Sequence, residues 1–349
     1  MPFPTHLPSA RTPDAMDAPI LRWGVLGSGW IAEQFTRSVK AHTRQQITAV
    51  GSRSQEAADA FAARLGVPKA FGSYQALVEA EDIDVIYVAT PHNLHHDHAL
   101  MAIAAGKHVL VEKPVALNRA QAEAMVRAAR AKRVFFAEAL WTYFLPKFDV
   151  FRQILEEGVI GDVLSVFTEY GEYLPRGHRI FDQSLAGGPL LDLGTYPASL
   201  LVWLLGKPRT IVGLAEPDPS GVNGQLSVVL SNERGAMGTL STSLYGFTPA
   251  NAAIIGTRGS IRFNTEFHLP GGFEVWSREG DLRLRYEEAR GAHFEGLCFE
   301  AAEVARSIAG GLHETTCRLP QASLDTMELL DGIRSALKLD FEKAGLIER

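Results

Sequence analysis

Cysteine is the scarcest reactive group in this chain: of 349 residues only Cys298 and Cys317 carry a thiol. They form no C-x-x-C pair, so neither a disulfide scaffold nor a zinc site is indicated, and a reducing compartment is expected. Positive charge is also short. Lys and Arg number 34 against 40 Asp and Glu, a formal net charge of −6, and no basic cluster breaks the pattern. That removes the electrostatic basis for binding nucleic acid or an anionic membrane. No apolar run approaches the roughly 18 residues needed to span a bilayer; the longest, residues 198–205, is far shorter. The first 19 residues hold Pro2, Pro4, Pro8, Pro13 and Pro19 but neither the apolar core of a signal peptide nor a twin-arginine pair. Residues 1–19 therefore read as a flexible arm and the location as cytoplasmic, with Met16 an alternative start.

What is present is an ordinary globular composition, 46% hydrophobic and 21% charged, on a length that suggests two domains. Strand and helix patterns alternate through residues 20–140, which predicts a doubly wound parallel sheet. The strand at 20–26 runs into Gly27-Ser28-Gly29-Trp30-Ile31-Ala32, a G-x-G-x-x-A turn that opens a helix reaching about residue 41. Gly27 permits the tight turn, Gly29 lets backbone approach a pyrophosphate, and Ala32 lets helix and strand pack closely. The plainer reading is a tight structural turn. The second strand, 47–53, ends in Ser52-Arg53-Ser54 where an acid would grip the ribose hydroxyls of NAD. A guanidinium between two hydroxyls suits a 2′-phosphate, favouring NADP with NAD the alternative; otherwise Arg53 is a solvated residue before a helix capped by Ser54.

The strand at 84–89 leads into Thr90-Pro91-His92-Asn93-Leu94-His95-His96-Asp97-His98. Its histidines invite a metal reading, but no metal is expected, because the loop lies at the carboxyl edge of the sheet, where it would border a nicotinamide. The next strand, 108–112, ends at Glu112-Lys113-Pro114. Pro114 cannot join a ladder, so Lys113 sits at a strand's carboxyl end, either as a catalytic ammonium or as an ion-pair partner of Glu112. The segment Trp141-Thr142-Tyr143-Phe144-Leu145-Pro146 suits a pocket wall or core packing equally.

From residue 161 the pattern changes: a long strand at 162–170 and later runs between 210 and 286 that alternate without intervening helices predict a mostly antiparallel sheet in an α+β domain over 141–349, with a helix at 198–205 between them. Helices at 294–308 and 324–337 are expected to cover one face. The open face predicts a homodimer packed sheet to sheet. The loop at 174–182 offers Arg176, His178, Arg179, Phe181 and Asp182. After it, Asp192 and Tyr196 are spaced to share one face of a helical turn, either as paired functional groups or as a helix start and a core tyrosine.

Taken together, Gly27 to Ala32, Thr90-Pro91, His95, Ala105-Gly106-Lys107-His108-Val109, Glu112-Lys113-Pro114 and Gly187-Gly188 leading to Asp192-Leu193-Gly194-Thr195-Tyr196 resemble the Gfo/Idh/MocA oxidoreductase family, over roughly residues 20–340. Tyr196 stands where much of the family has histidine, which resembles the branch of dihydrodiol and sugar dehydrogenases; Tyr143 stands where relatives often have arginine. The resemblance implies an N-terminal Rossmann domain with a C-terminal domain that binds substrate and dimerises, its dimers possible halves of a dimer of dimers. It implies Lys113, Asp192 and Tyr196 as catalytic, and Gly27, Ser28, Gly29, Trp30, Ile31, Ser52, Arg53, Thr90, Pro91, His92, His95, Glu112 and Lys113 around NADP. Trp141, Phe144, Arg179, Asp192 and Tyr196 would meet a cyclic sugar, polyol or trans-dihydrodiol. Tyrosine is a poor base near neutral pH unless a cation stabilises its phenolate, and Lys113 is placed to be that cation. The alternatives are a non-catalytic dinucleotide sensor and an NAD-dependent glycosidase-like enzyme on the same fold.

Overall fold

The computed structural model describes residues 3–263, 266–288 and 294–339. Its first half runs β1 (Arg22–Leu26), α1 (Trp30–His42), β2 (Gln46–Gly51), α2 (Gln55–Leu65), β3 (Lys69–Phe71), α3 (Tyr74–Glu79), β4 (Val85–Val88), α4 (His95–Ala104), β5 (His108–Glu112), α5 (Arg119–Lys132) and β6 (Phe136–Ala139). All neighbouring strands pair in parallel, in the order β3-β2-β1-β4-β5-β6. Parallel strands covered on both faces must be apolar throughout, and β4, Val85-Ile86-Tyr87-Val88, is fully buried. Trp23, Phe35 and Tyr87 fill the space beneath α1, with Phe35 and Tyr87 stacked at 3.8 Å. Each such buried side chain contributes about 1.5–3 kcal/mol of transfer free energy. Ser54, Ser73 and Asn118 cap α2, α3 and α5 through their side-chain oxygens.

The second half comprises α6 (Pro146–Glu156), β7 (Val163–Gly171), α7 (Pro189–Asp192), α8 (Thr195–Leu205), β8 (Thr210–Pro217), β9 (Asn223–Ser231), β10 (Met237–Ser243), β11 (Ala252–Gly256), β12 (Gly259–Phe263), β13 (Gly272–Ser277), β14 (Arg283–Glu287), α9 (Leu297–Ala309) and α10 (Pro320–Leu337). The strands form one sheet, β14-β13-β12-β11-β7-β10-β9-β8, antiparallel except where β7 meets β10. The mixed α/β architecture expected from the sequence is what the chain forms.

Three differences have physical causes. The expected flexible arm is packed: Arg11 forks onto Asp149 with Nη2–Oδ1 at 2.7 Å, and Ala15 and Ala18 are buried against Cys298, Ala302 and Ala305 of α9. Small apolar residues between the prolines let it lie close to a helix. Secondly, α9 does not cover the antiparallel sheet; it packs on α1 and on the turn Trp141–Phe144, while α8 and α10 lie against the sheet. Thirdly, α10 returns to the parallel half, where Arg119 reaches Glu328 at 2.8 Å and the buried pair Arg318–Glu138 closes at 3.0 Å. These contacts fix the carboxyl edge of the parallel sheet opposite α7 and α8.

Candidate active site

The loops after β1, β4 and β5 emerge at one edge and line a cleft of about 570 Å³ whose other wall comes from the second half; Ser52 and Arg53, after β2, lie outside its lining. At β1 the chain turns at Gly27 with φ of +118°, and a Cβ there would lie 2.6 Å from the Ala89 carbonyl oxygen; only glycine fits. Gly29 opens onto free space, with nothing within 4 Å of where its Cβ would be. It begins α1, whose N-terminus takes no hydrogen bond from a capping side chain. A helix of this length with uncapped first-turn N–H groups and a turn open to the cleft fits a dinucleotide pyrophosphate. Ser28 and Ser52 meet through their hydroxyls at 3.1 Å. Arg53 is exposed, and its charge acts on Tyr74 and His98.

Lys113 leaves β5 and points across the cleft, donating from Nζ to Asp192 Oδ1 at 2.9 Å and to the Asp192 carbonyl at 2.8 Å. Its Nζ lies 5.1 Å from the centroid of the Tyr196 ring. Arg179 donates to the other carboxylate oxygen, Oδ2, at 3.1 Å, and His92 Nε2 lies 3.7 Å from Oδ1. Burial opposes the Asp192 charge, yet Lys113, Arg179 and His92 more than offset it and hold the carboxyl well below its usual range. Burial likewise opposes the Lys113 charge, and Asp192, Tyr196 and Glu112 outweigh it, so the ammonium is held more firmly than usual. Tyr196 goes the other way. Burial pushes its hydroxyl up to about 12 despite the downward pull of Lys113. The phenol oxygen accepts from Trp141 Nε1 at 3.0 Å, which leaves its own proton to be donated into the cleft.

Behind Lys113 lies a group of acids. Glu112 accepts from the Tyr87 hydroxyl and from the Lys113 backbone N–H at 3.0 Å, and burial lifts its carboxyl to about 7. Glu300 of α9 is fully buried with neither oxygen hydrogen-bonded; burial, then the Glu112 charge, raise it well above the usual range. Composition and spacing give no hint of Glu300, because an acid within a helix pattern reads as solvent-facing.

The structure gathers Gly29, Trp30, Ile31, Thr90, Pro91, His92, His95, Glu112, Lys113, Trp141, Arg179, Asp192 and Tyr196 in this cleft. Phe144, expected on the substrate wall, is buried outside it, and Phe181 belongs to a separate small cluster with Ile180, Leu193, Val222 and Leu244. His95 lines the cleft but is fully buried, its ring spanning the carbonyls of Pro114 and Thr90 at 2.8 Å each; burial lowers it to about 4. It holds the loop in place and, when neutral, donates to one carbonyl at a time. Tyr143 is also outside: its ring lies under the Arg318 guanidinium at 4.7 Å and its hydroxyl donates to Ser199. Sequence reading missed the wall formed by Tyr170 and His268, whose rings lie 4.3 Å apart, with Tyr196 4.7 Å from His268. Their positions depend on strand β7 and a distant turn meeting. Among the described residues no group of His, Cys, Asp or Glu is arranged to hold a metal ion.

A dinucleotide turn on one wall of a cleft and a Lys-Asp-Tyr constellation spanning it is the layout of a nicotinamide-dependent oxidoreductase. Comparison with known proteins gives the particular family. Residues 21–139 match the oxidoreductase family with an NAD-binding Rossmann fold, and residues 148–262 match the GFO/IDH/MocA C-terminal domain. The trans-1,2-dihydrobenzene-1,2-diol dehydrogenases of Mus musculus and Bos taurus are 33% and 31% identical, each over 92% of this chain and 98% of theirs. A 3-ketoreductase of Actinomadura kijaniata, solved with NADP and TDP-benzene, superposes with a TM-score of 0.80 at 26% identity, covering 91% of this chain and 98% of its own. Levoglucosan dehydrogenase, solved with NADH and levoglucosan, shares the fold, with a TM-score of 0.82 at 22% identity over 92% and 98%. The chain belongs to the GFO/IDH/MocA oxidoreductase family and is an NAD(P)-dependent dehydrogenase.

Proposed function

We propose that the protein is an NADP-dependent dehydrogenase that interconverts a secondary alcohol or hemiacetal carbon of a cyclic substrate, a trans-dihydrodiol or a sugar, with its carbonyl. The observation that carries this is the pairing of Lys113 with Asp192 beneath the Tyr196 ring, at the mouth of an uncapped dinucleotide turn. The relatives named as dihydrodiol dehydrogenases support the substrate class. So does the cleft itself, where an aromatic wall of Tyr170, His268 and Tyr196 faces the polar groups of Asp192 and Arg179. A flat ring packs on the first and places its hydroxyls against the second.

The backbone from Gly27 to Ile31 would hold the pyrophosphate, and Ser52 with Arg53 the 2′-phosphate; bound there, the nicotinamide supplies or accepts the hydride. Lys113 donates to the reacting oxygen, where negative charge develops, and Asp192 keeps the ammonium aimed. Tyr196 moves the proton. With its hydroxyl raised to about 12 it is protonated near neutral pH and serves as the acid for carbonyl reduction. For alcohol oxidation it must ionise, so that direction speeds up as pH rises.

The same reading covers assembly. The outer face of the antiparallel sheet carries one row of paired residues, Val212, Val229, Thr239, Phe167 and Ala253, in which Phe167 is 50% and Val212 57% exposed, and Leu214 beside it 81%. A second copy of the chain on this face makes a homodimer. The free thiols Cys298 and Cys317 suit a reducing cytoplasm, and among the described residues no helix is long and apolar enough to cross a membrane.

The test incubates the protein with NADP⁺ or NAD⁺ and trans-dihydrodiols, aldoses and polyols, following NADPH or NADH absorbance. Turnover with a cyclic diol or sugar and NADP⁺ is expected. Tyr196→Phe should lower kcat by about 10²–10⁴ while cofactor affinity stays unchanged. Cofactor binding without turnover on any substrate would favour a sensor and sink the dehydrogenase reading.

A further inference from the structure

The loop 172–188 crosses the top of the cleft and carries Leu174, His178 and Arg179 into its lining. Only Arg179 of these reaches Asp192, and nothing about a surface arginine with 43% of its side chain exposed fixes it there. The anchor lies three residues earlier. Arg176 is not in the lining; its Nη1 donates to both oxygens of Asp218, at 2.6 and 2.5 Å, from the turn between β8 and β9. The Asp218 side chain is fully buried while Arg176 is 63% exposed. Asp218 also accepts from the Ser220 backbone N–H and from the Tyr245 hydroxyl, each at 2.9 Å. The guanidinium lies over the Phe181 ring at 5.0 Å and the Tyr245 ring at 5.9 Å. Gly224 leaves the space for Tyr245, since a Cβ there would lie 1.8 Å from its hydroxyl. Phe181, held by this stacking, packs with Ile180, Leu193, Val222 and Leu244 in a small core of its own beneath the loop. Arg179 immediately precedes those two core residues.

We propose that Arg176 is a positioning residue: clamped between Asp218, Tyr245 and Phe181, it holds the loop over the cleft so that Arg179 reaches Asp192. An exposed ion pair contributes little by itself. This one differs because the acid is buried, both its oxygens are saturated with donors, and two rings fix the plane of the guanidinium. The clamp acts on substrate binding, since Arg179 contacts Asp192 on the side away from Lys113. The effect on turnover rests on the proposed dehydrogenase reading; the effect on the loop does not.

The test compares Arg176→Ala, Arg179→Ala and the double variant in the full-length protein. Arg176→Ala is expected to raise KM for the substrate about tenfold with kcat and NADP⁺ affinity unchanged, Arg179→Ala to raise KM at least as much, and the double variant to match Arg179→Ala alone, because Arg176 acts only through Arg179. Amide hydrogen exchange, measured without substrate, should accelerate at residues 178–182 in Arg176→Ala and leave the parallel sheet untouched. If Arg176→Ala folds poorly, Arg176→Lys keeps a charge beside Asp218 but loses the planar stacking, and the same acceleration is expected at smaller size. Unchanged exchange at 178–182, or KM effects that multiply in the double variant, overturn the proposal. A wild-type protein with no turnover refutes the dehydrogenase reading alone, and the exchange measurement still decides the role of Arg176.

Discussion

Replacing Lys113 by methionine keeps much of the side chain's length and bulk and removes its charge, and two consequences can be sized from the geometry. The first concerns Tyr196. A unit charge 5.1 Å from the ring, at an effective dielectric of about 20, stabilises a phenolate by about 3 kcal/mol, or about two orders of magnitude in its population. Alcohol oxidation, which needs that phenolate, should slow at least this much, and more if the hydrogen bond from Nζ to the reacting oxygen is also lost. The second concerns Asp192, which keeps Arg179 at 3.1 Å but loses its 2.9 Å partner. Breaking a buried pair costs about 3–5 kcal/mol, and the remaining guanidinium puts the loss at the low end. The assay is kcat/KM for NADPH formation across pH, with thermal unfolding alongside. For the wild type, log kcat/KM should rise with pH toward the ionisation of a tyrosine lying near 12. The variant should fall by about 10² or more at every pH while still binding NADP⁺, and Lys113→Met/Asp192→Asn should regain stability without regaining rate. A variant that keeps wild-type kcat/KM, or a wild-type profile flat between about pH 6 and 10, would refute the assignment of Tyr196 and Lys113 to proton handling.

Three further outcomes follow from the same geometry. Arg53→Ala should weaken NADP⁺ about 10- to 100-fold, the loss of one or two charge-assisted hydrogen bonds, and leave NAD⁺ unchanged; equal weakening of both in a binding titration removes Arg53 from 2′-phosphate recognition. Glu300 and Glu112 are acids raised in the folded state, with Glu112 at about 7. Such groups bind protons more tightly folded than unfolded, so their stabilisation is fullest below the ordinary glutamate range and is lost as pH rises through the folded value. Thermal unfolding should therefore move to lower temperature between about pH 5 and 8 in the wild type and less so in Glu300→Gln; identical pH dependence would show that Glu300 holds no proton there. Gly27→Ala must relieve a 2.6 Å approach to the Ala89 carbonyl at a φ of +118°, costing about 1–3 kcal/mol. Urea unfolding measures the cost, and a change within error would mean that the turn relaxes freely.

The parallel half was legible because its signals are local. A glycine turn, β-branched strands and a terminal Lys-Pro each report on a few neighbouring residues, and steric rules convert them directly into a turn, a buried strand and a strand end. The Asp192 and Tyr196 spacing was legible in the same way, as polar exceptions in an apolar run. Phe144 misled because an aromatic side chain suits a pocket wall and a core equally; the path of the backbone past the cleft decides between them. The arm at 1–19 misled because prolines mark it as extended without saying what it lies against.

The sequence alone determined the dinucleotide turn, the absence of an acid after β2, the lysine at the carboxyl edge and the change of architecture near residue 161, all of which depend on contacts within one element. Only the tertiary structure decided that Lys113 turns to Asp192 and the face of Tyr196, that Trp141 occupies the phenol oxygen, that Glu300 is sealed behind Glu112, and that Arg176 grips Asp218. Each of these joins residues far apart in the chain. Their protonation and aim follow from burial and from which charge lies opposite, quantities that exist only once the two halves have closed on each other.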